Sequence, residues 1–260
     1  MRHPDRWVPT KFVYERGKLV ASRDPVEVGV GSRLIANLVA SLYDRHLRTH
    51  ARGHLLDLGC GKVPLHEAYR PFIQSSTCVD WQNTLHPNDL LDHECDLTQQ
   101  LIFEDNSFDT IILSDVLEHI PRPMFLWSEM GRVLRPGGKI LLNVPFYYWL
   151  HETPHDYYRF TEYALRRFAH ASGFTTVVLV PVGGAPEIVA DITAKNLVRF
   201  LPRTGGHLAA AVQYATRVLL KAHVVKRLSE LTGKRSPLGY FMVAEKNGSD
   251  RAGDPPNPSP

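Results

Sequence analysis

The sequence predicts a doubly wound α/β fold on a mostly parallel sheet, and three observations predict it. Short apolar runs recur after Gly53, each closed by a polar or turn residue. Segments with apolar residues at helical spacing lie between them. A stop signal, Pro136-Gly137-Gly138, is followed at once by another apolar run. Parallel strands need crossovers, so this alternation puts helices on both faces of the sheet.

Residues 1–30 are rich in proline, glycine and charge and show no period, so an irregular N-terminal segment is expected there. Leu34, Leu38 and Leu42, with Ile35 and Val39, then recur at helical spacing and predict a helix over 31–49, ahead of the sheet. The runs HLLDLG (54–59), STCVD (76–80), FDTIILSD (108–115) and KILLNVPF (139–146) read as buried strands. A short strand ending at Cys95-Asp96-Leu97 is expected between the second and third. Residues 122–135 and 161–171 have helical character, with a strand at 174–182 after them. A long helical stretch over 186–231 precedes a last strand, LGYFMVAEK (238–246). One domain over 31–247 follows, with an insertion at 185–235 before its last strand. The polar, proline-rich tail 248–260 is expected to be disordered.

Composition narrows the class. In 260 residues, 43% are hydrophobic and 22% charged, the balance of a globular domain rather than a disordered or fibrous chain. The first residues lack the apolar stretch of a signal peptide, and no long uncharged apolar run spans a membrane, so a cytoplasmic protein is expected. Cys60, Cys78 and Cys95, an odd number away from metal-ligand spacing, read as reduced core thiols. A net charge of +3 is too small to argue for nucleic acid. Locally, 185–235 holds nine Lys or Arg against three acids.

Ligands of open α/β sheets sit at the carboxyl ends of the strands. The first strand ends in Asp57-Leu58-Gly59-Cys60-Gly61, where glycines permit a tight turn and close backbone approach. A dinucleotide site wants a third small residue at 64, but Pro64 stands there, and the Asp57 carboxylate would repel a pyrophosphate. It suits a ligand carrying an ammonium and a sulfonium. The second strand ends at Asp80, about twenty residues on, where a carboxylate accepts from both hydroxyls of a ribose. Trp81 offers a purine a stacking surface, the Asp96 side chain an acceptor for its amino group, and the Leu97 amide a donor. Each aspartate alone would more often be a turn or helix cap; their joint placement outlines one nucleoside.

The blocks LLDLGCGK, CVDW, CDLTQQLIFEDNSFDTIILSDVLEHIPRP and RVLRPGGKILLNVPF, in this order over 54–146, resemble the class I methyltransferases that use S-adenosylmethionine (SAM). The resemblance implies a Rossmann-like, seven-stranded fold. It implies that Asp57, Gly59 and Gly61 hold the methionine portion, Asp80 the ribose and Asp96 the adenine, with Ser114 to His119, including Asp115, flanking the cofactor. The family's loop often carries a third glycine where this chain has Val63.

Methyl transfer to a hydroxyl needs alignment and a route for one proton. Candidates are His151, His155 and Asp156, and more weakly His119, with Asp115 beside it; all lie after predicted strands. Residues 146–160, FYYWLHETPHDYYRF, form an aromatic, histidine-rich stretch suited to an acceptor pocket, although any one of its aromatics could serve packing alone. His151 to His155 also match H-E-x-x-H, a zinc-protease motif that requires a helix; Pro154 breaks one, so no metal is expected. The HETPHDYYRFT stretch resembles bacterial enzymes acting on glycans or secondary metabolites. The insertion interleaves apolar and basic residues, which suits a lid or dimer face, or a helix on an anionic membrane with a lipid-linked sugar as acceptor. Two rival classes stand beside an O-methyltransferase: a catalytically silent SAM-binding partner protein and a NAD-dependent oxidoreductase.

Overall fold

The computed structural model describes residues 1–82 and 89–248. The expected disordered tail therefore lies, from residue 249, outside the described residues. Seven strands form one sheet: β3 (His54–Leu58), β4 (Ser75–Asp80), β5 (His93–Glu94), β6 (Phe108–Ser114), β7 (Leu134–Pro145), β8 (Phe174–Val182) and β9 (Gly239–Lys246). Their order is β5-β4-β3-β6-β7-β9-β8. The first five are parallel, while β9 runs antiparallel between β7 and β8. The order reverses at β3 and β6, so the crevice beyond their carboxyl ends is the ligand position of the fold.

Alternate side chains point to opposite faces, and each face has its own cover. Leu56, Leu58, Ile111, Leu113, Ile140 and Leu142 form one core with Trp127 and Met130 of α3 (Pro123–Val133) and Leu165 of α4 (Glu162–Ala171). Leu55, Ile112, Leu141, Phe241 and Val243 form the other with Tyr43 and Leu47 of α1 (Arg33–His50). Helix α2 (His66–Tyr69) is a single turn after the glycine loop. Cys60, Cys78 and Cys95 are all buried and free, as expected of core thiols.

Several elements depart from expectation. The N-terminal segment is not irregular throughout: β1 (Phe12–Glu15) and β2 (Lys18–Ala21) form an antiparallel hairpin across Arg16-Gly17, both at positive φ (52° and 75°) as a tight two-residue turn requires. Its buried Phe12, Leu19 and Ala21 join the α1 face of the core. Pro136-Gly137-Gly138 does not separate helix from strand; β7 begins at Leu134, directly after α3, and bulges past it, with Gly137 at φ 73°. The short strand β5 ends at Glu94, one residue before Cys95, whose N–H donates to the Asp80 carbonyl at 2.8 Å. The stretch 186–231 is three helices, α5 (Ala185–Phe200), α6 (Gly205–Leu219) and α7 (His223–Gly233), interrupted first around Pro202. They do lie between β8 and β9, as the insertion was expected to.

Candidate active site

The turn after β3 is shaped by its glycines. Gly59 has φ 66°, and a Cβ there would sit 2.6 Å from Val116 Cγ2, so only glycine fits between the two strand ends. Gly61 has φ 50°. Val63, where the family often has glycine, is buried at φ 52°, an uncommon backbone state for a β-branched residue. The Asp80 carboxylate accepts from the Gly61 N–H at 3.0 Å and from the Trp81 N–H at 2.8 Å. It thus holds both sides of the turn.

Asp57 is buried, and its Oδ2 has no hydrogen-bond partner among the described residues. Burial, with the nearby Asp80 charge, pushes its carboxyl up to about 7. A buried acceptor without a donor is costly and marks a place for a ligand that brings one. It faces a cavity of about 730 Å³ at the ends of β3, β4 and β6, large enough for a nucleoside with an amino-acid arm.

A second cavity of about 280 Å³ adjoins it. Lys11, Glu27, Asp115 and Glu152 line both. Lys11 Nζ donates to Asp115 Oδ2 at 2.8 Å; burial would lower its pKa, but the Asp115 charge and hydrogen bond outweigh that and raise it. Asp115 also accepts from the Asn143 amide, whose oxygen accepts from Tyr43 and Ser114. The residues after β7 fold back over this junction, with the Tyr157 N–H donating to the Glu118 carbonyl at 3.0 Å.

Residues 56–142 match the family described as methyltransferase domain. An uncharacterised methyltransferase of Mycobacterium avium is 40% identical over 122 residues, which are 45% of this chain and 46% of that protein. One from Mycobacterium tuberculosis is 37% identical over 122 residues, 45% of each. Residues 56–142 are a class I SAM-dependent methyltransferase domain. The chain spans less than half the length of these curated relatives. Among solved structures, a phosphoethanolamine N-methyltransferase of Haemonchus contortus bound to phosphomonomethylethanolamine and S-adenosylhomocysteine gives a TM-score of 0.51 at 20% identity, over 86% of this chain and 58% of that one. The cyclase SpnF gives 0.53 at 16%, over 92% and 87%. Likeness at such identities shows the fold.

SAM is the cofactor of this domain class, and the residues present fit it: the partnerless Asp57 oxygen suits an ammonium, and the cradle at Gly59 admits no side chain. In the methyltransferase domain, all nine residues expected at the cofactor line the larger cavity: Asp57, Gly59, Gly61, Asp80, Trp81, Asp96, Leu97, Ser114 and Asp115. His119 and His155 line it too, and His151 lines the smaller one. Asp156 lines neither. Its carboxylate lies buried against Arg159, at 2.5 and 2.8 Å, and accepts from the His151 N–H at 3.0 Å. The Arg159 bond holds it down at about 2, so it is already paired and a poor base; its reach is to His151, not to an acceptor.

The histidines also depart from the motif reading. His151 and His155 share no helix; the His155 ring meets Trp81 edge-on at 5.2 Å. His151 instead packs on His119, with ring centroids 4.7 Å apart, beside Glu118. Glu118 is fully buried, and neither carboxylate oxygen has a hydrogen-bond partner among the described residues. Burial raises its pKa, and His151 counters the shift. Sequence reasoning passed over Glu118, which sits inside a recognisable block with nothing to mark it as buried. It also passed over Lys11 and Glu27, because the N-terminal segment carries no periodic signal.

Proposed function

We propose that this chain is a SAM-dependent O-methyltransferase acting on a hydroxyl of a glycan, a lipid-linked sugar or a secondary metabolite. The observation that carries this reading is the pair of adjoining cavities, one with the cofactor residues, His119 and His155 and one with Tyr148, His151 and Tyr240, that share Lys11, Asp115 and Glu152. When bound, SAM would supply an electrophilic methyl group to the acceptor oxygen, with S-adenosylhomocysteine as the leaving group and the hydroxyl proton passing to a neighbouring base such as His119 or His151. Asp57 holds the ammonium, and the Gly59–Gly61 backbone lies against the methionine arm. Asp80 would hold the two ribose hydroxyls, and Asp96 with the Leu97 amide would hold the adenine. His119 and His151 hold the acceptor hydroxyl. Asp156 is a positioning residue that orients His151. His155 and Trp81 together wall the adenine end.

Among these acceptors, a lipid-linked one is supported by the insertion. Phe200, Tyr214 and Val224, one on each of its helices, are 67%, 71% and 79% exposed amid the local basic excess. Lys195 of α5 lies over the Tyr148 ring at 3.5 Å, which ties this surface to the acceptor loop. No helix among the described residues is long and apolar enough to cross a membrane. Contact with an anionic membrane would be peripheral.

Calorimetric titration with SAM, S-adenosylhomocysteine and NADH tests the cofactor. Binding of the first two is expected, with Asp80→Ala losing two charge-assisted bonds worth about 3 kcal/mol together, roughly a 100-fold weaker Kd. NADH binding without SAM binding would establish the oxidoreductase instead. Methyl-labelled SAM incubated with hydroxylated glycans, lipid-linked sugars and phenols tests the reaction. Label in none of them, despite tight SAM binding, would favour the silent partner protein.

A further inference from the structure

Glu118, His119 and His151 each bring one ligand atom to a common point, with all of these atoms within 4.8 Å of one another. His119 Nε2 lies 3.8 Å and His151 Nε2 lies 3.7 Å from the same Glu118 Oε1. These separations exceed a hydrogen bond. They approach the spacing of about 3.4 Å expected between ligands of one tetrahedral ion with bonds near 2.1 Å.

One of the two other ring nitrogens is engaged in the way a metal-bound histidine usually is. His119 Nδ1 lies 2.8 Å from the His155 carbonyl oxygen, an acceptor only, so Nδ1 carries the proton and Nε2 keeps its lone pair toward Glu118. His151 Nδ1 lies 3.3 Å from Asp156 Oδ2, close but without a hydrogen bond, while that oxygen accepts from the His151 N–H and Arg159 fixes the carboxylate. Carboxylate or carbonyl behind imidazole is the outer arrangement that orients a ligating ring. At the centre, the two buried oxygens of Glu118 and the Nε2 of His119 have no hydrogen-bond partner among the described residues. A buried carboxylate whose oxygens meet no donor among the described residues is costly unless a cation neutralises it.

We propose that Glu118, His119 and His151 form a binding site for a divalent first-row transition ion of the zinc, iron or manganese type, which two imidazoles and one carboxylate favour over magnesium. The site lies where the cofactor cavity meets the smaller one, with Glu152 Oε2 3.9 Å from His119 Nε2 at its open side. Granting the methyltransferase reading, an acceptor hydroxyl would be the ion's remaining ligand. Its proton leaves more readily on the ion, and the exposed Glu152 carboxylate stands ready to take it. Ion binding itself requires neither SAM nor acceptor.

The test is metal content and titration of the whole chain after chelator treatment. Cobalt serves as the spectroscopic probe, with zinc, manganese, iron(II) and magnesium compared by calorimetry. One transition ion per chain is expected, with a visible cobalt band and negligible magnesium binding. Glu118→Gln and His151→Ala should lose the ion. Asp156→Asn, which leaves all three ligands in place, should bind it about 10- to 100-fold more weakly. His155→Ala, which keeps the carbonyl behind His119, should bind normally. SAM titration of each variant reports folding and the cofactor site separately, so loss of ion binding with SAM binding intact is the signature of the site. Wild type that binds no transition ion while still binding SAM overturns the metal site and leaves the methyltransferase reading standing. An unchanged ion affinity in both ligand variants would overturn it as well.

Discussion

Asp57 makes the clearest prediction at the scale of one residue. With its carboxyl at about 7, it is neutral below that pH and charged above it, and only the charged form attracts an ammonium. Binding a cation to the ionised form and not to the neutral one links affinity to pH. SAM affinity is therefore expected to fall about tenfold per pH unit below about pH 7, and to level off above it until the cofactor's own amino group titrates near 8. Asp57→Asn should bind weakly and show no such slope on the acid side. Calorimetry of both proteins from about pH 5 to about pH 9 checks this. A flat wild-type profile would remove Asp57 from contact with the ammonium. Asp80, whose two oxygens hold backbone donors on either side of the turn, has no such orphan position to fill.

At the scale of the element, α5 carries a buried ion pair, Asp191 with Lys195 one turn on, at 2.6 Å and with side chains 3% and 5% exposed. Burial raises the Asp191 pKa and lowers that of Lys195, each opposed by the partner. Lys195→Met strands the Asp191 charge and is expected to cost about 3–5 kcal/mol, while the double variant with Asp191→Leu should recover most of it. Urea midpoints of the three proteins decide; a single variant as stable as wild type would sink the argument. This buried Lys195, counted in the sequence as part of a basic surface, shows where local reading stops. The strands of the sheet were legible because runs such as FDTIILSD are buried on both faces, and their ends gave nine of the residues that line the larger cavity. The hairpin β1–β2 was not, since each strand has only four residues and its turn is Arg-Gly rather than Asn-Gly. The grouping of Glu118 and His119 with His151 depends on the loop after β7 folding back, and no spacing along the chain encodes that.

At the scale of the whole molecule, the loop after β7 and the insertion meet at Lys195. Lys195 Nζ stands 3.5 Å from the Tyr148 ring centre and 5.1 Å from that of Trp149, and Trp149 and Leu150 are themselves exposed. Arg199, Arg203, Arg217, Lys221, Lys226 and Arg227 lie on or between the helices that follow, so the surface pairs apolar side chains with cations. Each cation near an anionic bilayer contributes about 1 kcal/mol, whereas the same cations on a dimer face would repel one another. Cosedimentation with phosphatidylserine-containing vesicles is expected, with much less on pure phosphatidylcholine and a loss as salt is raised. Reversing Arg217, Lys221, Lys226 and Arg227 to glutamate should abolish it without weakening SAM binding, because none of these residues lines the cofactor cavity. Equal binding to both vesicle types would leave only the apolar contribution. A concentration-dependent dimer in velocity sedimentation, with no vesicle binding, would assign the surface to a second copy of the chain and move the acceptor away from lipid-linked molecules toward freely soluble ones.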